Sequence, residues 1–245
     1  MLSEEFREFY WKSFERQREG WYNNVESKTS QLLRDEAIEV EKIYRTQSRY
    51  GVERYLSDRT RVWERVLKSL YIGIIEDFGC RTYDSFIPKK EFNPFSSFIN
   101  EWSDKYSAKR AVLITDTSKV LANRAITTGL DAGQSVDKIG RGLRTYYEES
   151  AGYRSMSMSR TEVVGASNYG SFEGAKQTGV VKTKTWVSSR DERVRDSHTA
   201  IDGETVPLDE AYSNGLMYPG DPNGSGTEVI HCRCTQAYGT EEART

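Results

Sequence analysis

The chain has 245 residues, of which 36% are hydrophobic and 29% charged, and its formal net charge is -2. This length can bury a sizeable core in one large domain or two modest ones, while a mean hydropathy of -0.72 is typical of long helices with much exposed surface. The near-neutral charge argues against a chain that coats nucleic acid over its whole surface, and no apolar run reaches the roughly 18–20 residues of a transmembrane helix.

Apolar residues spaced three and four apart predict two long helices at the amino-terminal end. The first is predicted over Ser3–Tyr50, with Gly20 as its weak point, and the second over Val52–Phe78. Gly51 is expected to separate the two helices, and Gly79 is expected to cap the second one. Because the connection is short, the helices should pack as an antiparallel hairpin.

A change in composition marks the expected domain boundary. The stretch Cys80–Phe95 is irregular, with Pro88 and Asn93-Pro94 as loop signals. We therefore predict an amino-terminal helical arm over residues 1–90 and a second domain over residues 91–245.

Helical periodicity resumes after the boundary and continues to residue 179. Four helices are predicted, with Asp116–Ser118 as the cap of the second and Ser135 as the cap of the third: Phe95–Lys109, Lys119–Leu130, Val136–Glu149 and Tyr153–Gly179. The last helix carries polar residues among small ones, namely Gly165, Ala166, Gly170 and Ala175. Such a surface either receives another backbone closely or faces solvent, and the residues alone leave both interpretations open.

The pattern changes from helical to alternating after Gly179. It predicts a strand over Val181–Val187, a turn at Asp202-Gly203, a long loop over Tyr212–Thr227 and a closing strand over Glu228–Tyr238. The predicted class is α+β: a long amino-terminal helical hairpin and further helices (residues 95–179), followed by a small antiparallel sheet with long loops (residues 180–240).

Scarce residue types concentrate between Trp186 and Cys234, where both histidines and two of the three cysteines lie. The motifs, in chain order, are Arg160-Thr161-Glu162, Asn168, Trp186, Asp191, Arg195-Asp196-Ser197-His198, Asp202-Gly203, Pro219-Gly220-Asp221-Pro222 and Cys232-Arg233-Cys234. Each motif is weak alone, but the whole order resembles the phage Mu protein F-like head-morphogenesis family of tailed bacteriophages. The resemblance covers roughly residues 110–238.

This resemblance implies a minor head protein without enzymatic activity. Such a protein docks on the portal and the interior of the procapsid and assists head assembly or DNA packaging and ejection. The implied partners are the portal protein and the major capsid or scaffolding protein, with non-specific contact to genomic DNA as a further candidate and no membrane. The implied location is the interior of the virion head, with the host cytoplasm as the location during assembly.

Two thiols and an imidazole are the candidate metal ligands. On an extended strand Cys232 and Cys234 share a face, so with His198 they would supply three ligands of a tetrahedral structural zinc site, with Asp196 or Asp202 as the fourth. The Cys-x-Cys spacing disfavours this site, since typical cysteine pairs are separated by two or more residues. The alternative is a pair of small buried apolar side chains beside a hydrogen-bonded histidine, with no cofactor. A disulfide is not expected, because three cysteines are too few for a framework and the cytoplasm is reducing.

Two other functions fit parts of the same region. A metal-dependent nuclease would use His198 and Asp191 beside phosphate-binding arginines. A DNA-binding protein without catalysis would use the basic residues around the first strand: Lys182, Lys184, Arg190, Arg193 and Arg195.

The closing segment is expected to join the sheet to the helices. Trp186 and Ile230–Cys234 should meet in one sheet. Arg233, which projects opposite the two cysteines, is predicted to pair with Glu162 on the preceding helix.

Overall fold

The computed structural model describes residues 2–88 and 91–241, and most of these residues are helical. The elements in chain order are α1 Glu4–Phe86, α2 Ser97–Asp131, α3 Val136–Thr178, β1 Thr183–Val187, α4 Asp196–Ala200, β2 Thr205–Pro207, α5 Gly226–Val229 and β3 Thr235–Gly239. The predicted α+β class, with long amino-terminal helices before a small antiparallel sheet, is confirmed. Among the described residues, no helix combines the length and the apolar character needed to cross a bilayer.

The long helix α1 is a hairpin of two helices that meet at Ser48, where φ is 69° and ψ is -172°. The break predicted at Gly51 is therefore wrong by three residues. Gly51 lies inside the second helix, where a Cβ atom would stand 2.6 Å from Cβ of Gln47 and 2.9 Å from Cγ2 of Ile43. The glycine makes room for close packing at the hairpin end, and the serine takes the unusual backbone conformation.

Replacing Ser48 with glycine is expected to raise the free energy of unfolding by about 1 kcal/mol. The φ/ψ values of Ser48 lie in a region that is almost restricted to glycine and costs other residues on the order of 1–3 kcal/mol, part of which is offset by the greater flexibility of glycine in the unfolded chain. Urea unfolding of Ser48→Gly and Ser48→Val measures the effect. A valine variant as stable as the wild type would contradict the strain.

The second helix of the hairpin continues past Gly79 and ends at Phe86, so the predicted cap at Gly79 is wrong. A Cβ atom at Gly79 would stand 2.4 Å from the ring of Phe92, which is buried. Gly79 therefore makes room for the ring of Phe92 and does not end the helix. The helix also runs without a break through Gly20, which is exposed.

Helices α2 and α3 are each continuous where two separate helices were predicted. The hydroxyl of Thr117 donates to the carbonyl of Leu113 at 2.8 Å, so the predicted cap Asp116–Ser118 lies inside α2 with its hydrogen bonds satisfied locally. Ser135 caps α3 as predicted, since its Oγ accepts from the backbone N–H of Lys138 at 3.3 Å. Gly179, at φ 70°, follows the last residue of α3.

The sheet has the order β2-β1-β3, with both pairs antiparallel. The central strand β1 is buried along its whole length, and Trp186 lies opposite Gln236. The predicted closing strand is too long, because its first part forms the helical turn α5 and residues 230–234 belong to no strand. The long loop before it is confirmed as a stretch without strands between Pro207 and Gly226.

The chain forms two compact units. Unit 1 comprises Met1–Asn23, Tyr71–Asn100 and Ser159–Thr245, and unit 2 comprises Asn24–Leu70 and Glu101–Met158. These units differ from the sequence division at residue 90, which stays a prediction.

Unit 1 joins the carboxy-terminal half of α3 to both ends of α1. The small residues of α3 do receive another backbone closely: a Cβ atom at Gly170 would stand 2.7 Å from the carbonyl oxygen of Ile75, and one at Gly174 would stand 2.4 Å from that of Gly79. The solvent-facing alternative for this surface is excluded at these positions.

Unit 2 has its own apolar core. Its fully or largely buried members are Ala37, Val40, Tyr44, Val52, Leu56, Ala122, Ile126, Ile139, Leu143 and Tyr147. A buried carboxylate, Glu36, accepts hydrogen bonds from Trp63 at 2.6 Å and Arg59 at 3.3 Å in the same unit.

Candidate functional site

Three side chains predicted as metal ligands converge in unit 1. Nδ1 of His198 lies 3.4 Å from Sγ of Cys234 and 3.7 Å from Sγ of Cys232. One ligand atom from each residue falls within 4.8 Å of the others, and each residue is 1% exposed. The histidine comes from α4, and the cysteines come from the segment between α5 and β3.

Glu228 holds the other nitrogen of the histidine. Its Oε2 lies 2.7 Å from Nε2 of His198, so the ring is oriented with Nδ1 towards the two sulfurs. The ring of Trp186 meets the imidazole edge-on with 5.1 Å between centroids, and Ser188 donates to the carbonyl of His198 at 2.6 Å. Glu228 and Trp186 therefore fix the orientation of the imidazole, and Ser188 fixes the backbone that carries it.

The cluster changes the acidity of its own members. Burial alone would lower the pKa of His198, but its hydrogen bonds with Cys232 and Glu228 outweigh burial and raise that pKa. A hydrogen bond from Cys234 holds the pKa of Cys232 well below its ordinary value, while burial raises the pKa of Cys234. The three groups therefore act on one another as a single hydrogen-bonded cluster.

Neither carboxylate considered as a fourth ligand belongs to the cluster. Asp196 is exposed at the start of α4. Asp202 accepts from Arg7 at 3.1 Å, from Arg190 at 2.9 Å and from the backbone N–H of Ser188 at 2.8 Å. Asp202 therefore anchors the turn that Gly203 completes at φ 83°.

Asn168 joins α3 to both the loop and the closing segment. Its amide nitrogen donates to the carbonyls of Pro219 at 2.8 Å and Cys234 at 3.1 Å, and its Oδ1 accepts from the hydroxyl of Thr235 at 2.9 Å. The side chain is fully buried, and it makes three hydrogen bonds.

Asn168→Ala is expected to lower the free energy of unfolding by about 2–3 kcal/mol, because the carbonyl of Pro219 and the hydroxyl of Thr235 lose a buried partner and the carbonyl of Cys234 keeps only Arg18. Urea unfolding measures the loss. Asn23→Ala is the matched control, since Asn23 is exposed on α1 and its replacement should change the free energy by no more than about 0.5 kcal/mol. Equal effects of the two variants would contradict the role of Asn168.

The predicted pair between Arg233 and Glu162 is wrong. Arg233 donates to Oδ1 of Asp191 at 2.7 Å, and Glu162 accepts from the hydroxyl of Tyr71 at 2.6 Å. Asp191 lies in the loop after β1, which reaches Arg233 more directly than the helix does. Arg233 thus joins the closing segment to that loop.

The remaining motif residues hold the loops of unit 1. Arg160 lines a cavity of about 350 Å³ together with Trp11, Glu15, Tyr22, Asp191, Arg193 and Arg233. Arg195 donates to the carbonyl of Ile230. Asp221 is buried and accepts from the backbone N–H groups of Met217 at 3.2 Å and Asn223 at 2.9 Å.

Residues 119–237 match the family model of the phage Mu protein F-like proteins. Over these residues, which are just under half of the chain, the sequence is similar to the phage Mu protein F-like proteins. The match begins inside α2 and ends inside β3, so it contains the histidine–cysteine cluster and every motif named above. The predicted resemblance is confirmed and relates the chain to phage head morphogenesis.

Two curated relatives resemble the chain. The first, uncharacterized protein YqbB of Bacillus subtilis, is 26% identical over 167 residues, which are 65% of this chain and 54% of the relative. The second, NAD(+)–arginine ADP-ribosyltransferase EFV of Enterococcus faecalis, is 28% identical over 137 residues, which are 54% of this chain and 28% of the relative. The chain therefore spans about half of one relative and about a quarter of the other. No solved structure matches it significantly.

Residues outside the Mu F-like match complete its closing segment. The fully buried Arg18 of α1 donates to Ser167 at 2.9 Å and to the carbonyl of Cys234 at 3.3 Å, and Trp11 donates to the carbonyl of Arg233 at 2.8 Å. Sequence reasoning missed these partners. A signal was present for Arg18, which occupies a position of the apolar stripe between Phe14 and Trp21.

Proposed function

We propose that this Mu F-like chain is a minor head protein of a tailed phage. It docks on the portal and the interior of the procapsid, and it assists head assembly or DNA packaging and ejection. The family match over residues 119–237 carries the proposal. The proposed partners are the portal protein and the major capsid or scaffolding protein.

The contacts of the motif residues support a structural role. Asn168, Asp202, Asp221 and Arg233 each bond to a neighbouring loop or to the closing segment. A set of residues used to hold loops in place is typical of a scaffold that presents a surface to partner proteins.

The geometry disfavours the nuclease alternative. His198 would have to act as a metal ligand or general base at a substrate phosphate, but it is 1% exposed. Both of its ring nitrogens already have neighbours, with Glu228 on one side and the two cysteines on the other. A polynucleotide cannot reach this imidazole without opening unit 1.

The geometry also disfavours a DNA-binding surface around the first strand. Lys184 is fully buried, with Nζ donating to the carbonyl of Met217 at 2.7 Å. Arg190 pairs with Asp202, and Arg195 donates to the carbonyl of Ile230. Few of the predicted basic groups are therefore left for phosphate contacts.

Co-expression of the chain with the portal, capsid and scaffolding proteins of its own phage tests the proposal. Capture of the chain should recover the portal protein, and purified heads should contain the chain. The lysate is treated with nuclease beforehand, so that DNA cannot bridge the proteins. Failure to recover portal or capsid protein, together with absence of the chain from heads, would reject the proposal.

Activity assays test the competing enzyme functions. The pure protein is incubated with single- and double-stranded DNA and several divalent metals, and separately with NAD(+) and an arginine-containing acceptor. We expect neither DNA cleavage nor transfer of ADP-ribose. DNA cleavage that is lost in His198→Ala would favour the nuclease, and modified acceptor would favour an activity like that named for the Enterococcus relative.

A further inference from the structure

We propose that His198, Cys232 and Cys234 bind one zinc ion that stabilises unit 1. Zinc bonds of about 2.3 Å to sulfur and 2.0–2.1 Å to nitrogen place tetrahedral nitrogen and sulfur ligands about 3.6 Å apart. The two separations between Nδ1 and Sγ are 3.4 Å and 3.7 Å. Both nitrogen–sulfur separations therefore match those of ligands around a common ion, and all three atoms lie within 4.8 Å of one another.

Both sulfurs approach the same nitrogen of His198, which has only one lone pair to offer a donor. Without a metal, the thiol of Cys234 hydrogen-bonds to the sulfur of Cys232, so only one of the two sulfurs pairs with the imidazole. A cation between the three atoms satisfies all of them at once.

Glu228 supplies the supporting contact that metal-binding histidines usually have. Its carboxylate lies 2.7 Å from Nε2 of His198, so the proton of the neutral ring belongs on Nε2, and the lone pair of Nδ1 faces the sulfurs. The carboxylate thereby selects the tautomer that a metal needs.

The chemistry of the ligands selects zinc. Thiolates with imidazole favour zinc over magnesium or calcium, which prefer oxygen ligands. Among the described residues, the cluster contains three protein ligands, so the fourth ligand of the proposed ion would come from outside the cluster. Since all three ligands are buried, the ion has a structural role: it ties α4 to the segment that precedes β3.

The metal content of the purified protein tests the proposal. The chain is expressed with zinc in the medium, freed of any polyhistidine tag, and analysed by mass spectrometry of the metal. We expect about one zinc per wild-type chain, and loss of zinc in Cys232→Ser, Cys234→Ser and His198→Ala. Cys80→Ser is the matched control and should keep the zinc, because Cys80 lies on α1 away from the cluster.

Cobalt substitution separates binding from folding. The metal-free protein with added cobalt should show the thiolate charge-transfer band and the visible bands of tetrahedral cobalt, and so should Cys80→Ser. Glu228→Gln keeps all three ligands and a similar shape, so it should fold, and its zinc affinity should fall by about 10- to 100-fold. Its far-ultraviolet circular dichroism checks that it is folded.

Three results would overturn the proposal. The first is a folded wild type that binds neither zinc nor cobalt. The second is zinc that persists in the double variant Cys232→Ser/Cys234→Ser, which would show binding elsewhere. The third is a Cys232–Cys234 disulfide in the purified protein, detected by mass as the loss of two hydrogens. Unchanged affinity in Glu228→Gln would reject the supporting role of the carboxylate.

Discussion

Replacing Gly174 with alanine is expected to lower the free energy of unfolding by about 3 kcal/mol or more. The new methyl group would stand 2.4 Å from the carbonyl oxygen of Gly79 and 3.0 Å from its Cα atom. Both atoms belong to the backbone of a helix, so no side chain can move aside, and α3 and α1 must move apart at this contact. Overpacking a core usually costs about 1–3 kcal/mol. Because the obstacle here is backbone, we expect the cost of Gly174→Ala to lie at or above the upper end of that range.

Urea unfolding of Gly174→Ala measures this cost, and Gly20→Ala is its control. Gly20 is also helical and in unit 1, but it is exposed and a Cβ atom there would meet nothing within 4 Å. Alanine should raise stability at Gly20 by up to about 1 kcal/mol, because it is the better helix former. A small effect at Gly174 with the same sign as at Gly20 would show that the helices do not touch there.

Replacing Glu36 with alanine is expected to cost about 3–5 kcal/mol in unit 2. Its carboxylate accepts from Trp63 at 2.6 Å, from Arg59 at 3.3 Å and from Ser118 at 3.3 Å, and it is fully buried. Alanine would leave the Arg59 guanidinium and the Trp63 indole without this acceptor, beside a second half-buried arginine, Arg154. Removing one partner from a buried charge network typically costs this much.

Glu36→Gln separates the charge from the hydrogen bonds. Burial raises the pKa of Glu36 against the opposing effect of its hydrogen bond to Trp63, so the ionised form is already penalised in the folded protein. Glutamine keeps an acceptor for Trp63 and should therefore cost about half as much as alanine. Denaturant unfolding of both variants gives the comparison. Equal losses would mean that the charge alone matters, and no loss in either variant would contradict the network.

The long helices could be predicted from the sequence because their apolar residues recur over many turns. The positions at which these helices end could not be predicted as well, because a glycine can either end a helix or make room for a packed side chain inside it. Gly51 and Gly79 are adjacent to packed side chains inside a helix, whereas Ser48, which has no glycine, proline, asparagine or aspartate next to it, takes the unusual conformation. The contacts that decide between these roles come from residues distant in the chain, which local patterns do not record.

The candidate metal site could be predicted in part. Residue types pointed to His198, Cys232 and Cys234, and the structure brings them together. Glu228 could not be found, because no spacing connects it with a histidine 30 residues away. The partner of Arg233 was missed for a similar reason. A long arginine side chain can reach several carboxylates, and only the path of the loop after β1 decides in favour of Asp191.

The bonds between α1 and the closing segment have a consequence for the order of folding during synthesis. Trp11 and Arg233 are 222 residues apart, and Arg18 and Cys234 are 216 apart. During synthesis, the buried Arg18 near the start of α1 can therefore bond to the carbonyl of Cys234 only after nearly the whole chain has been made. Unit 2, in contrast, has all of its residues once Met158 has been made. Because contacts of such long range form slowly, we expect newly made chains to pass through a stage in which unit 2 is folded and unit 1 is still open.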